Sequence, residues 1–184
     1  RLTGKFAASF NSITVYWLTD NRKIENIMYD DGLIKLSTID RTKLPDLKPA
    51  NAILGTLRPE IARDWGLRED VQVLMGSSDV QSASIGSGAV RDFEPHLYIG
   101  TSSWLTCHFP SKKTDLLHNM AALPSAIPGR YLLTTEQECA GVCLQFLRDN
   151  ILFHQDELQT GTKPSNAYQL FDQIAERTPA GSDK

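Results

Sequence analysis

The pattern of apolar and polar positions turns on one stretch, residues 71–90. Residues 71–75 form a short apolar run, which predicts a buried strand. Gly76, Ser77 and Ser78 break the run as a tight turn, and Asp79 follows. Beyond it, Ala83, Ser84, Gly86, Gly88 and Ala89 predict a helix thin enough for another backbone to come close. Enzymes often hold catalytic side chains on loops at the carboxyl ends of strands, and Asp79 is placed that way. Asp is also a favoured helix N-cap, because its carboxylate accepts from the free amides of the first turn. The two roles are compatible, since a helix N-terminus stabilises the charged form.

Upstream of that stretch, residues 1–10 read as a helix end and a turn around Gly4. Residues 11–20 read as a loop leading into a short strand or helical turn that packs Tyr16 and Trp17, and Asp20-Asn21-Arg22 is a turn signal. Apolar residues from Ile24 to Ile39, interrupted by Asp30-Asp31-Gly32, predict two short helices or one broken one. Residues 40–57, with Pro45, Pro49 and Gly55, have the character of a surface loop. A helix is predicted over 59–65, with Thr56 as cap, Pro59 in the first turn and Gly66 as stop.

Downstream, the charged connector 91–95 is the candidate domain boundary. Residues 96–109 predict two strands, rich in aromatic and β-branched residues, meeting at Gly100-Thr101-Ser102-Ser103. Lys112 and Lys113 fall in a polar turn and read as a solvated pair. An extended segment over 120–128 and a strand over 130–135 follow. Residues 140–153 carry the strongest helical pattern, with a stripe of Leu144, Leu147, Ile151 and Phe153. A loop over 161–164 and an amphipathic helix over 166–177 complete the reading.

Composition narrows the function classes. Of 184 residues, 41% are hydrophobic and 22% charged, ordinary for a globular protein. A net charge of −3 gives no footprint for nucleic acid. No apolar run approaches the roughly 20 residues of a membrane span. Three cysteines, Cys107, Cys139 and Cys143, are too few and too odd in number for a disulfide framework. They read as buried structural thiols in a reducing compartment, and no second ligand pair stands at zinc spacing.

Two further constellations could carry chemistry. Gly100-Thr101-Ser102 could cradle a phosphate through backbone amides and hydroxyls, or serve only as hairpin geometry. Gly141 opens a helix, where glycine costs about 1 kcal/mol relative to alanine, which points to close packing or to a ligand nearby. The P-loop, the dinucleotide fingerprint and the Gly-x-Ser-x-Gly elbow are all absent from the sequence.

The order of the motifs carries a resemblance. Leu2-Thr3-Gly4-Lys5-Phe6, Leu44-Pro45, Leu54-Gly55-Thr56-Leu57, Ala62 with Gly66-Leu67, Gly76-Ser77-Ser78-Asp79 with Ala83 and Gly86-Ser87-Gly88, Gly100-Thr101-Ser102, and the run from Ala140 to Asp149 follow one another. The chain resembles the FGGY family of carbohydrate kinases, most closely its xylulokinase branch.

That resemblance implies an α/β fold of the actin-like, ribonuclease-H-like ATPase type. It makes the chain a fragment, with residues 1–90 the end of the first domain and residues 93–184 the start of the second. It implies Asp79 as catalytic base facing an interdomain crevice, and Gly100, Thr101 and Ser102 as a phosphate loop. Gly141 and Gln145 would contact the nucleotide, and Gln81 with Asp79 the sugar. ATP and Mg²⁺ are implied, with a small-molecule sugar as the other substrate, D-xylulose first, and with no nucleic acid or membrane partner. A cytoplasmic location and a homodimer are allowed. Val80 stands where the family usually has a polar residue. This keeps open a kinase for another pentulose or polyol, of ribulose or glycerol type, and a non-catalytic kinase-like module. The family's amino-terminal Asp-x-Gly-Thr loop and carboxyl-terminal adenosine motif are not in the sequence, so the fragment alone is expected to be inactive.

Overall fold

A computed structural model of the chain describes residues 1–154 and 162–182. The loop expected over 161–164 therefore lies partly outside the described residues. In chain order the elements are β1 (Ala7–Ser9), α1 (Phe10–Ile13), β2 (Thr19–Asp20), β3 (Met28–Tyr29), α2 (Asp31–Ser37), β4 (Asp46–Lys48), β5 (Ile53–Thr56), α3 (Pro59–Asp64), β6 (Gln72–Leu74) and α4 (Asp79–Gly86). There follow β7 (Pro95–Ile99), β8 (Ser103–Phe109), β9 (Thr114–Asp115), β10 (Met120–Pro124), β11 (Tyr131–Gln137), α5 (Gly141–Phe146), a π-helical turn (Leu147–Leu152) and α6 (Ala167–Arg177).

The chain divides into two compact units that are interleaved in sequence. The first takes residues 1–98 and 104–136, the second residues 99–103 and those from 137 onward.

In the first unit a five-stranded sheet runs β7-β8-β11-β10-β9. β10 and β11 pair antiparallel, with Ala122 opposite Leu133 and Pro124 opposite Tyr131. Phe109, Ala122 and Tyr131 form one core cluster, against which Ile24 and Leu133 pack. A second cluster joins Ile13, Leu18, Tyr29 and Ile34 with Ala8, Leu44 and Leu47. Both remove apolar surface from water, the main favourable term in folding.

Several local expectations change. The segment 1–10 holds strand β1 rather than a helix end, and β1 pairs in parallel with β4, Ala7 opposite Asp46. Residues 40–57, read as loop, contain β4 and β5. The reason is tertiary: their ladder partners lie far away in sequence, so local pattern does not mark them. Asp30 caps α2 by accepting from the Leu33 amide, so Asp30-Asp31-Gly32 starts the helix instead of interrupting one. Arg58 holds the N-cap position of α3 expected of Thr56, and Pro59 opens the helix as expected. Tyr16 and Trp17 are exposed rather than packed, and Trp17 is in the left-handed region at φ 58°. β6 is not buried, since Gln72 and Leu74 face outward.

Lys112 is no solvated cation. Its Nζ donates to Asn21 Oδ1 and to the Ala122 carbonyl, both at 2.6 Å, and lies 5.7 Å from the Tyr131 ring centre. Burial pushes its pKa below the usual lysine value. The Tyr131 hydroxyl donates to the Asn21 carbonyl at 2.9 Å, so the turn expected at 20–22 is tied to the sheet.

In the second unit, the helix expected over 140–153 begins as α5 and continues as a π turn, where the Phe153 amide reaches back to the Arg148 carbonyl. The expected apolar stripe is not buried: Leu144 and Ile151 are exposed. In α6, Tyr168 and Phe171 meet edge to face, and Arg148 stacks over the Tyr168 ring. The cysteines also depart from expectation. Cys139 and Cys143 are exposed and Cys107 is half-buried, all as free thiols.

Candidate functional site

One group of candidate residues is built on β6 and α4, in the first unit. Gly76 turns the chain out of β6 at φ 77°, a conformation that glycine adopts without a Cβ clash. Ser78 is extended at the N-cap position and makes no side-chain cap bond. Asp79 is thus the first helical residue, one place beyond the cap expected of it. Its Oδ1 accepts from the Val80 amide at 2.8 Å, which satisfies one free donor of the first turn. The side chain is exposed. A carboxylate held by one oxygen and open at the other can accept a proton from a hydroxyl brought to it.

Gln81, expected near a sugar, is turned inward and only 1% exposed. Its Nε2 donates to the Pro124 carbonyl at 2.8 Å, and its Oε1 accepts from the Ala126 amide at 2.5 Å. In this conformation each end of the amide holds one backbone partner, so Gln81 ties α4 to the end of β10. Nor do the glycines of this stretch admit another backbone. A Cβ at Gly86 or Gly88 would meet no atom within 4 Å, and the buried small residues are Ser84 and Ala89.

A separate group of candidate residues lies in the second unit. There the loop Gly100-Thr101-Ser102 is closed by the Gly100 amide donating to the Ser102 carbonyl at 2.8 Å. The start of α5 is stitched to it: the Ala140 amide donates to Thr101 O and the Gly141 amide to Gly100 O, both at 2.8 Å. A Cβ at residue 141 would fall 2.7 Å from the Gly100 carbonyl oxygen. Close backbone packing thus gives a reason for glycine at 141. Thr101 is exposed. Gln145 is exposed one helical turn beyond Gly141. The structure thus brings Gly141 against Gly100 and Thr101, with Ser102 and Gln145 in the same unit, while Asp79 and Gln81 belong to the other unit.

A cavity of about 230 Å³ in the first unit, lined by Thr14, Trp17, Trp104 and Glu136 among others, contains none of the expected residues. Among the described residues no three His, Cys, Asp or Glu side chains cluster as metal ligands. Among the described residues no helix is long and apolar enough to cross a membrane.

Known proteins supply the context. Residues 1–86 match the FGGY family of carbohydrate kinases, N-terminal domain. An autoinducer-2 kinase of Enterobacter sp. (strain 638) is 29% identical over 151 residues, 82% of this chain and 28% of that protein. A xylulose kinase of Escherichia coli (strain K12) is 28% identical over 149 residues, 79% of this chain and 29% of that protein. The chain thus spans less than a third of the length of these relatives. A crystal structure of gluconate kinase from Lactobacillus acidophilus superposes with a TM-score of 0.77 at 22% identity, over 99% of this chain and 34% of that one. The fold is the actin-like ATPase fold, and over residues 1–86 the chain is similar to the FGGY family of carbohydrate kinases.

Proposed function

We propose that the protein to which this chain belongs transfers the terminal phosphoryl group of ATP to a sugar hydroxyl, with Asp79 as general base and D-xylulose, giving xylulose 5-phosphate, as first candidate substrate. The observation that carries this reading is the exposed Asp79 carboxylate. It is fixed by the Val80 amide on the first turn of α4, inside the segment that matches the family's N-terminal domain. In the same reading residues 1–90 end the first family domain and residues 93–184 begin the second. A cytoplasmic location accords with three free cysteines.

Phosphoryl transfer asks little covalent chemistry of a protein and much positioning. Asp79 would take the proton of the attacking hydroxyl as the new oxygen–phosphorus bond forms. An ordinary carboxylate suffices, because the proton moves only as that bond develops. The Gly100-Thr101-Ser102 loop fits a phosphate group: close packing of Gly141 on Gly100 holds the loop's shape, and the exposed Thr101 hydroxyl can donate. Gln145 would touch the nucleotide from α5. Mg²⁺, when bound, would neutralise phosphate charge.

A second substrate reading has its own support. An autoinducer-2 kinase stands beside a xylulose kinase at nearly equal identity, so autoinducer-2 belongs on the substrate panel with xylulose, ribulose and glycerol. The test is ADP release by the full-length protein with ATP and each candidate. Asp79→Asn should lower kcat by about 10²–10⁴-fold while nucleotide affinity stays unchanged. Near-normal turnover in that variant would reduce Asp79 to a helix-terminal residue. Absence of sugar-dependent ADP release with every candidate would favour a non-catalytic module.

A further inference from the structure

The way α4 is held bears on the carboxylate it carries. Most helices are seated by an apolar stripe, whose contacts are strong in sum but carry no direction. In α4 the buried residues are Gln81 and Ser84, both polar. Its eight residues are also too few to keep a helix without tertiary support. Directed hydrogen bonds therefore weigh heavily in setting where its first turn lies.

Gln81 makes two such bonds, to backbone groups 43 and 45 residues away. Its Nε2 donates to the Pro124 carbonyl, and its Oε1 accepts from the Ala126 amide. Two partners fix the side-chain amide in twist as well as in place. The anchor is itself braced. Between the two partners, the Ser125 amide donates to the Arg130 carbonyl at 2.9 Å. The Ser125 hydroxyl pairs with Nδ1 of the buried His108 at 3.0 Å and accepts from the Ile127 amide at 2.9 Å. The turn from β10 to β11 is thus closed on itself and tied to β8 where Gln81 meets it.

Asp79 lies two residues before Gln81, about 200° around a helix of 3.6 residues per turn. One side chain therefore points in and the other out: Gln81 is buried and Asp79 is exposed. The Ser82 amide closes this turn on the Ser78 carbonyl at 2.9 Å, so a shift at the inner side chain carries the outer one with it.

We propose that Gln81 is a positioning residue for phosphoryl transfer: its two-point hold on Pro124 and Ala126 sets the place of the Asp79 carboxylate. The proposal rests on the kinase reading and gives Gln81 a part other than sugar contact. A general base must come within hydrogen-bond reach of the proton it takes. A misplacement of about 1 Å can cost about 100-fold in rate. The loss falls on kcat, because Gln81 acts through Asp79 and not on the bound sugar or nucleotide.

The test compares the full-length parent with Gln81→Met, which keeps the bulk and loses both bonds. ADP release is followed with ATP and the sugar that the parent turns over. kcat should fall about 10–100-fold, with KM for sugar and for ATP unchanged. Hydrogen exchange at the Ser82 amide should quicken in the same variant. Ser87→Ala is the control: it removes the 2.9 Å pairing with His96 Nδ1 at the far end of α4 and should leave kcat near that of the parent. Should Gln81→Met not fold, Gln81→Glu serves instead, since it keeps the acceptor for Ala126 and gives up the donor to Pro124. A destabilised variant with unchanged kcat would reduce Gln81 to a structural tie and overturn the proposal. So would unchanged protection at Ser82, or an equal fall of kcat in Ser87→Ala. A raised KM for sugar at unchanged kcat would overturn it in favour of direct sugar contact. A parent that releases no ADP with any sugar would overturn the kinase reading and this proposal together, whereas a working parent beside an equally fast variant overturns this proposal alone.

Discussion

Residue 141 illustrates how much one missing carbon can decide. The Gly141 position leaves 2.7 Å between a notional Cβ and the Gly100 carbonyl oxygen, well inside contact distance. That oxygen is backbone and cannot swing aside as a side-chain tip would. Gly141→Ala should therefore part α5 from the loop and cost about 1–3 kcal/mol, the usual range for overpacking. Hydrogen exchange at the Ala140 and Gly141 amides is the direct readout, with faster exchange expected at both. Unchanged protection would mean that the two backbones are not in contact. The glycine's oddity was legible, since a helix-opening Gly asks for a reason. Its partner was not, because Gly100 is 41 residues away and nothing local links the two. Lys112 shows the opposite case. A Lys-Lys pair in a polar turn reads as solvated, and only the fold reveals Asn21 and the Ala122 carbonyl waiting for one of the two.

At the scale of elements, α4 depends on a single amide. Gln81 bonds the Pro124 carbonyl with one end and the Ala126 amide with the other. Gln81→Leu would keep the bulk and orphan both backbone groups, at a cost of about 1–3 kcal/mol for each unsatisfied group. Denaturant unfolding of the full-length protein should show this loss of stability. A variant as stable as the parent would mean that water replaces the amide at no cost. Elements defined by their own residues were readable: α3 from Pro59 and Gly66, α6 from its amphipathic period, β7 and β8 from aromatic and β-branched runs around Gly100. Elements defined by distant partners were not. β1 and β4 pair across nearly forty residues, and neither has a period of its own long enough to declare it. The π turn after α5 escaped for a related reason, because the sequence there keeps a helical composition while its hydrogen bonds shift by one residue.

For the whole molecule, the buried imidazole of His108 sets a pH limit. The residue is 0% exposed, and its Nδ1 pairs with Ser125 Oγ at 3.0 Å. Burial lowers its pKa, with Asp92 pulling weakly the other way. The unfolded chain therefore binds a proton that the folded one refuses. Stability from this group is complete above the unfolded value of about 6.5 and is lost as pH falls below it toward the folded pKa. Melting temperature should decline over that window, and His108→Gln should flatten the decline. An equal slope in parent and variant would assign the acid sensitivity to other groups. The division into units was beyond a linear reading for a simple reason: composition marks a connector at 91–95, but it cannot reveal that a five-residue loop departs from one body to join another.

That excursion has a practical consequence. Because residues 99–103 reach the second unit before the first is finished, no single cleavage of the gene separates the two as intact pieces. A clone starting at residue 137 would lack the strip to which Ala140 and Gly141 bond, and one ending at residue 98 would lack strands β8 to β11. To obtain either body alone, an experimenter would have to cut and rejoin the coding sequence rather than shorten it.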